Sequence, residues 1–296
     1  MEIKIFCAKD WVDYELLDTG GGEKLEKFGP YTFVRPYEEA VWKKTLSGKE
    51  WTKADGKFWS SKTGAVKGWK MKNKISPRWE LSYKGIRFLV SPTPFRHLGF
   101  FPEQASHWDF IESKIKEAKK ETQRPVKFLN LFGYTGVASL FALRAGAEVT
   151  HIDASKQTIE WAKENQKVSG LDNMPIRIIC DDVMKFIERE EKRGNKYDAV
   201  IMDPPKFGRG PKGETWEIEK DLPKLLESAR KILSDKPLFI ILNSYAIDSF
   251  SLSLGYALED AMSGLSGKVV SGELCLLEKS NKREIPLSNT AIWNAL

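Results

Sequence analysis

From residue 126 onward the chain keeps repeating one unit: a short apolar run, a polar turn, then an amphipathic stretch of ten or more residues. Strands are expected near 126–132, 147–152, 176–180, 197–202, 237–242, 269–277 and 285–292. Helices are expected near 136–145, 155–168, 183–192, 218–233 and 249–263. Gln104 to Lys120 adds another helix, with Trp108, Ile111, Ile115 and Ala118 at helical spacing. Strands alternating with helices on this scale predict an α/β architecture, a mostly parallel seven-stranded sheet with helices on both faces. Ligands of such sheets lie beyond the carboxyl ends of the strands, where strand order reverses.

Residues 1–95 follow another pattern. Turn signals recur at Gly20-Gly21-Gly22, Gly29-Pro30, Ser47-Gly48, Asp55-Gly56 and Lys67-Gly68, with short aromatic and β-branched runs between them. Trp51 to Trp69 reads as a hairpin turning at Asp55-Gly56, and Ile86–Val90 as the last strand before Ser91-Pro92-Thr93-Pro94. The expected division is a smaller β-rich domain, 1–95, followed by an α/β domain, 96–296. Charge divides the same way: 1–95 carries 18 Lys and Arg against 12 acids, 96–296 carries 29 against 29, and the net +6 of the chain sits in the first part. Six of the ten tryptophans are there too. Residues 43–78 hold eleven Lys and Arg against two acids, interleaved with Trp51, Phe58, Trp59 and Trp69. Such a surface suits RNA, lysines tracking phosphates and aromatics stacking on bases. The competing reading is a small β domain whose tryptophans are its core.

No apolar run approaches the roughly 18 residues of a membrane span. The opening Met1–Cys7 lacks the apolar stretch and small-residue cleavage site of a leader. Cys7, Cys180 and Cys275 form neither a metal spacing nor an even framework. A reducing cytoplasm, with no membrane partner and no metal, is the expectation.

The first strand of the α/β part runs into Phe132-Gly133-Tyr134-Thr135-Gly136 and directly into a helix. Glycines there let backbone approach a ligand, and a helix start offers free N–H donors. Asp153, with Ala154 beside it, ends the second strand 20 residues after Gly133, the expected place for a carboxylate gripping ribose hydroxyls. A dinucleotide would want a full G-x-G-x-x-G cradle, which this loop lacks. S-adenosylmethionine (SAM) has no phosphate and relaxes that demand. Asp181-Asp182 follows the third strand, where an adenine amino group could be read. Asp182 also fits as the N-cap of the helix beginning at Val183.

The fourth strand runs into Asp203-Pro204-Pro205-Lys206-Phe207-Gly208. Two prolines stiffen this turn and remove two donors, so it presents its carbonyls and the Asp203 carboxylate rigidly. Methyl transfer is an in-line displacement that depends on alignment. Asp203 and Lys206 are therefore the catalytic candidates, Pro204 a cofactor-side residue, and Pro205 and Phe207 substrate-side residues. The stretch from Lys206 to Trp216, rich in glycine and lysine, reads either as a lid or as a solvated loop.

In this order these motifs resemble the class I SAM-dependent methyltransferases, which implies a Rossmann-like catalytic domain. They are most similar to the group that includes the large-subunit ribosomal RNA cytosine-C5 methyltransferases and a bacterial subgroup of uncharacterised members. Gly99-Phe100-Phe101-Pro102-Glu103-Gln104 resembles that group's signature ahead of the domain, which implies that Phe101 and Gln104 lie on the cofactor side. One departure bears on chemistry. In the resembling family a nucleophilic cysteine would follow the fifth strand, where this chain has Asn243-Ser244-Tyr245. Cys180 and Cys275 read as buried packing residues. An exocyclic nitrogen or a hydroxyl is therefore the expected acceptor. The leading reading is an RNA methyltransferase, ribosomal RNA foremost. The alternatives are a methyltransferase for a protein or small molecule, and an inactive RNA-binding protein.

Overall fold

The computed structural model describes residues 1–59, 68–122, 124–245 and 250–296. Strand β1 (Glu2–Ala8) opens the chain, followed by β2 (Tyr14–Gly20), β3 (Glu23–Phe28), β4 (Tyr31–Pro36), helix α1 (Gly48–Thr52), β5 (Gly56–Trp59), β6 (Gly68–Met71), β7 (Trp79–Tyr83) and β8 (Ile86–Val90). Helix α2 (Ala105–Thr122) leads into β9 (Lys127–Leu131), α3 (Val137–Arg144), β10 (Glu148–Asp153), α4 (Lys156–Val168), β11 (Ile176–Cys180) and α5 (Val183–Lys192). Then come β12 (Ala199–Met202), β13 (Phe207–Arg209), β14 (Thr215–Glu217), α6 (Ile218–Lys231), β15 (Phe239–Ser244), α7 (Ser251–Ala261), β16 (Gly267–Leu277) and β17 (Glu284–Ala295).

The chain forms two units. One comprises Met1–Phe6, Ser106–Leu274 and Leu287–Leu296, the other Cys7–Ala105 and Cys275–Pro286. The units thus interleave along the sequence, where the linear reading divides the chain once, near residue 95. Single-sequence patterning cannot see this, because the boundary after Leu274 falls inside the single strand β16, where no turn signal marks it.

The first unit is built on a sheet of order β1-β16-β17-β15-β12-β9-β10-β11. Strands β11, β10, β9, β12 and β15 run parallel, and β17 runs antiparallel to β15. All seven expected strands are present, and β1 joins them at the edge as an eighth. The central strands read as unbroken apolar runs because helices cover both faces: Phe128, Leu129 and Leu131 of β9, Val200 of β12 and Ile240 of β15 are fully buried. Chain order reverses at β9 and β12, since β10 and β11 continue on one side and β15 on the other. The carboxyl ends of β9 and β12 are therefore where a ligand crevice belongs.

The second unit has a five-stranded sheet, β2-β3-β4-β5-β6, and the hairpin β7–β8. Gly21 (φ 59°) and Gly22 (φ 76°) turn β2 into β3 in the left-handed region. The hairpin expected from Trp51 to Trp69 differs from the one formed: β5 pairs antiparallel with β6, and Gly56 opens β5 where a turn was expected. Trp51 lies instead in α1, because Glu50 reaches back to accept the Ser47 N–H at 3.0 Å, one half of a capping box. Phe28, Phe33, Tyr83 and Phe88 form an aromatic core. A buried charged cluster joins it. Glu26, fully buried, accepts from Arg35 Nε and Nη2 at 2.6 Å each and from the Tyr14 hydroxyl at 2.8 Å.

Candidate cofactor pocket and catalytic turn

After β9 the backbone makes a left-handed excursion, with φ of 57° at Phe132, 51° at Tyr134 and 84° at Gly136. Gly136 is the N-cap of α3, so the loop delivers free N–H groups at a helix start. Two glycines here are demanded by packing. A Cβ on Gly133 would lie 2.3 Å from His151 Cε1, and one on Gly136 would lie 3.0 Å from the Ala162 Cβ. His151, on β10, receives the loop from below: its Nδ1 is 3.1 Å from Ser139 Oγ, which in turn accepts from Asn130 Nδ2 at 3.0 Å. Burial lowers the His151 pKa to about 4, so the ring is neutral. Asn165 Nδ2 donates to the Thr135 carbonyl at 2.8 Å and fixes the far side of the loop.

Asp153 joins the loop to the next strand. Its Oδ2 accepts the Tyr134 backbone N–H at 2.9 Å, while Oδ1 accepts Ser155 N–H at 2.9 Å and Thr158 Oγ1 at 2.8 Å. Burial raises its pKa, and those three donors pull against the rise. The Tyr134 hydroxyl is pushed up to about 12 by burial and by the Asp153 charge, so it remains a neutral donor. Asp182 is the N-cap of α5, its Oδ1 accepting the Lys185 N–H at 2.9 Å. The capping alternative is thus realised, and it uses one of the two carboxylate oxygens. Val183 is buried in an apolar cluster with Leu131 and Ile152, and Phe132 packs against the same cluster. Ala154 is half-buried, its carbonyl 3.5 Å from Cys180 Sγ.

The turn after β12 stands beside this loop. The Asp203 N–H points to the Leu131 carbonyl at 3.4 Å, and Pro204 is buried while Pro205 is exposed. The Pro205 carbonyl accepts Trp216 Nε1 at 2.6 Å, and the Trp216 ring lies 5.1 Å from that of Phe132. The segment read as lid or solvated loop is therefore a folded hairpin, β13 against β14, pinned by Trp216. Phe207 stands 64% exposed and lines an open cavity of about 600 Å³ with Arg209, Trp216 and Lys220. Lys206 Nζ is 3.7 Å from Glu219 Oε1, a half-exposed pair that holds the ammonium loosely.

The cysteines stand differently from the sequence reading in one case. Cys275 is buried as expected, but Cys180 is exposed. It ends β11, the outermost strand of the sheet, in which no residue is fully buried. Desolvation and the neighbouring Asp153 and Asp181 raise its pKa, so the thiol is not activated. At the end of β15, Asn243 is fully buried and its Oδ1 accepts Thr290 Oγ1 at 2.8 Å, a structural contact.

The remaining candidates lie in the second unit. Gln104 is buried, with its backbone N–H on the Phe101 carbonyl at 3.1 Å. The tryptophans separate. Trp51 is buried with Nε1 on Asp18 Oδ2 at 2.9 Å, so it cannot stack on a base without unfolding its own site. Trp69 Nε1 donates to the Thr93 and Phe95 carbonyls, and its half-buried ring packs edge-on against Phe33 and Phe58, a structural role. Trp59, like Trp69, is half-buried, and it has Lys57 Nζ 4.3 Å from its ring centre. Asn130, Ser139, His151, Thr158, Asn165 and Trp216 support the site without having been assigned a role from the sequence. Only Thr158, three residues after a serine at a helix start, carried a local signal.

A loop held by a β-strand carboxylate at the switch point of a parallel sheet, facing a proline-stiffened turn, defines a nucleoside-cofactor enzyme of the Rossmann-like methyltransferase class. The chain belongs to the S-adenosylmethionine-dependent methyltransferase family, whose profile matches residues 72–257, and its cofactor is SAM. It is 43% identical to a SAM-dependent methyltransferase from Agrobacterium tumefaciens, whose crystal structure superposes with a TM-score of 0.93 over 99% of this chain and 94% of that one. It is 32% identical over 192 residues to a ribosomal RNA large subunit methyltransferase K from Neisseria meningitidis, covering 63% of this chain and 52% of that protein. It is 33% identical over 124 residues to a ribosomal RNA large subunit methyltransferase I from Aeromonas salmonicida, covering 42% of this chain and 29% of that protein. The chain thus spans about half or less of the length of these curated relatives. Among the described residues no helix is long and apolar enough to cross a membrane.

Proposed function

We propose that this protein transfers a methyl group from SAM to RNA, ribosomal RNA foremost, at an exocyclic nitrogen or a hydroxyl. The observation that carries the reading is the stiff Asp203-Pro204-Pro205 turn, fixed by Trp216 against the glycine loop that the family uses for its cofactor. The names of the curated relatives supply the RNA class.

The residues present fit SAM. The left-handed loop Phe132–Gly136 leads into the uncapped first turn of α3 without a phosphate cradle, and half-buried Asp153 keeps lone pairs for ribose hydroxyls. The Asp182 carboxylate oxygen not used in capping is a candidate acceptor for an adenine amino group, with Val183 and Phe132 as apolar walls and small Ala154 leaving room. Bound SAM supplies a methyl group on a positively charged sulfur. Asp203 accepts a hydrogen bond from the attacking group and orients it, while Pro204 fixes the backbone behind it. Lys206, loosely held by Glu219, steers a phosphate, and exposed Pro205 and Phe207 present the face on which a base rests. Phe101 and Gln104 keep a cofactor-side role on the family resemblance alone.

The acceptor follows from what stands after β15. Attack at cytosine C5 ordinarily needs a thiolate, and Asn243, Ser244 and Tyr245 offer none. Tritiated SAM incubated with total RNA, total protein and metabolite extract separates the classes. Label in RNA, mapped to a nitrogen or ribose oxygen, is the expected result. Label confined to protein or metabolites overturns the RNA reading, and label at cytosine C5 overturns the acceptor.

A further inference from the structure

Antiparallel pairing of β5 with β6 sets Lys57 directly opposite Lys70. Like charges facing each other across two strands destabilise a sheet. Lys72 follows two residues after Lys70, the spacing that returns a side chain to the same face of an extended chain. Lys44 arrives from the segment before α1. Together with Trp51, Ala54 and Trp59 these four lysines line an open cavity of about 310 Å³. A single acid, Glu23, lines it with them, and it pairs with both Lys44 (2.7 Å) and Lys57. Lys72 Nζ donates to the Thr52 carbonyl at 2.6 Å, and Lys70 is exposed. Four ammonium groups against one carboxylate leave the hollow strongly positive, and its aromatic wall is the half-buried Trp59 ring.

Folding accounts for part of this arrangement: Val34, Trp51 and Ala54 belong to a small core cluster, and Glu23 pairs with Lys44 and Lys57. It does not account for Lys70, set opposite Lys57 in the β5–β6 pairing. An anion between them reverses the sign of that interaction. Single-stranded RNA supplies both a phosphate for the lysines and a flat base for the tryptophan. An acidic peptide satisfies only the charge, and a duplex keeps its bases stacked away from an aromatic wall.

We infer that this cavity grips one nucleotide of single-stranded RNA, its phosphate between Lys57 and Lys70 and its base against Trp59. The inference rests on RNA being the substrate class, and it adds a docking point within the second unit.

The test is fluorescence anisotropy of the full chain with a labelled mixed-sequence single-stranded oligoribonucleotide, titrated at salt concentrations from 50 to 200 mM. A Lys57→Ala/Lys70→Ala double variant should flatten the slope of log affinity against log salt by about 0.7, the loss of one phosphate contact on a single strand. Trp59→Leu should weaken binding roughly tenfold and leave the slope unchanged. Removing Lys114 and Lys116, on α2 of the other unit, should change neither quantity. Thermal melting guards against unfolding: Lys70→Ala alone should melt no lower than the parent, since it removes a repulsion, and it should already show part of the slope change. Unchanged slope and affinity in the double variant overturn the inference. So does polyglutamate competing as well as RNA with no effect of Trp59→Leu. If RNA still takes label from tritiated SAM while these variants bind it normally, this docking point falls and the RNA reading stands. If RNA takes no label and does not bind, both fall.

Discussion

The Asp153 carboxylate accepts the Tyr134 backbone N–H at 2.9 Å, so one side chain at the end of β10 closes the glycine loop that follows β9. If Asp153 grips the ribose as proposed, Asp153→Ala removes those contacts and the tie to the loop together. Two charge-assisted bonds of roughly 1.5–3 kcal/mol each correspond to at least a hundredfold loss of SAM affinity, measurable by calorimetry. Asp153→Asn keeps an acceptor for Tyr134 and should fall between the parent and the alanine variant. Unchanged affinity in Asp153→Ala would remove this residue from the pocket.

Gly133 and His151 form a second coupled pair, since a Cβ on the glycine would sit 2.3 Å from the imidazole. Gly133→Ala should destabilise the protein by about 1–3 kcal/mol through overpacking and should weaken SAM binding as the loop shifts. His151→Ala removes the obstacle. In the double variant the cost of the added methyl group should largely vanish, a coupling that a denaturation double-mutant cycle reads directly. Additive effects would mean that the glycine is required for backbone conformation instead.

All three histidines of the chain are held below their ordinary range. Burial lowers His97 to about 3, with Arg35 and Arg96 adding to the shift, and lowers His107 to about 3 and His151 to about 4. Each folded-state value lies below the unfolded value near 6.5, so the unfolded chain binds more protons below that pH. Their contribution is complete above about pH 6.5 and is lost as pH falls toward 4. The slope approaches about 4 kcal/mol per pH unit when all three titrate on unfolding alone. Urea midpoints at pH 7.5, 6.0 and 5.0 should fall steeply across the last interval, and a flat profile would contradict the burial of these rings.

The Glu26–Arg35 pair makes a different demand on the second unit. Burial would raise Glu26, but Arg35 and Lys24 outweigh it and lower the carboxyl to about 2. Arg35→Met leaves that carboxylate buried without its bidentate partner, which costs about 3–5 kcal/mol. Replacing both residues, Glu26→Leu with Arg35→Met, should recover much of the loss. Thermal denaturation of the three variants checks the order.

The α/β half was legible because its signals are local. Turn chemistry at Gly133 and Gly136, the carboxylate at the end of β10 and the helical periodicity of α2 through α7 each sit within a few residues of what they specify. What the sequence concealed depends on distant partners. His151 looks like any residue inside an apolar strand until β10 packs beneath the loop that follows β9. Cys180 reads as a packing residue, yet it is exposed because β11 is the sheet's outermost strand, a fact of strand order alone. Trp51 and Trp69 have the composition of an RNA-stacking surface, and only their indole hydrogen bonds reveal that Trp51 is core and that half-buried Trp69 is tied to the Thr93 carbonyl. In the 43–78 stretch the lysines are informative through pairing: Lys57 and Lys70 are 13 residues apart in sequence and face each other only because β5 and β6 adopt that register.

Trp216 offers the sharpest test of the turn itself. Its Nε1 holds the Pro205 carbonyl at 2.6 Å, and its ring packs near Phe132 on the cofactor loop, so one side chain braces both halves of the site. Trp216→Phe keeps an aromatic ring but removes the only donor the indole offers. The Pro205 carbonyl then loses a partly buried hydrogen bond, a loss of roughly 1 kcal/mol, and the turn gains freedom. If the turn works by alignment, the cost appears in the transition state: kcat should drop about tenfold or more while KM for SAM stays within a factor of two or three. Trp216→Ala also releases Phe132, so KM for SAM should then rise as well. A Trp216→Phe variant with normal kcat would show that the rigidity of Asp203-Pro204-Pro205 comes from the prolines alone, and that the β13–β14 hairpin serves the substrate side and not the chemistry.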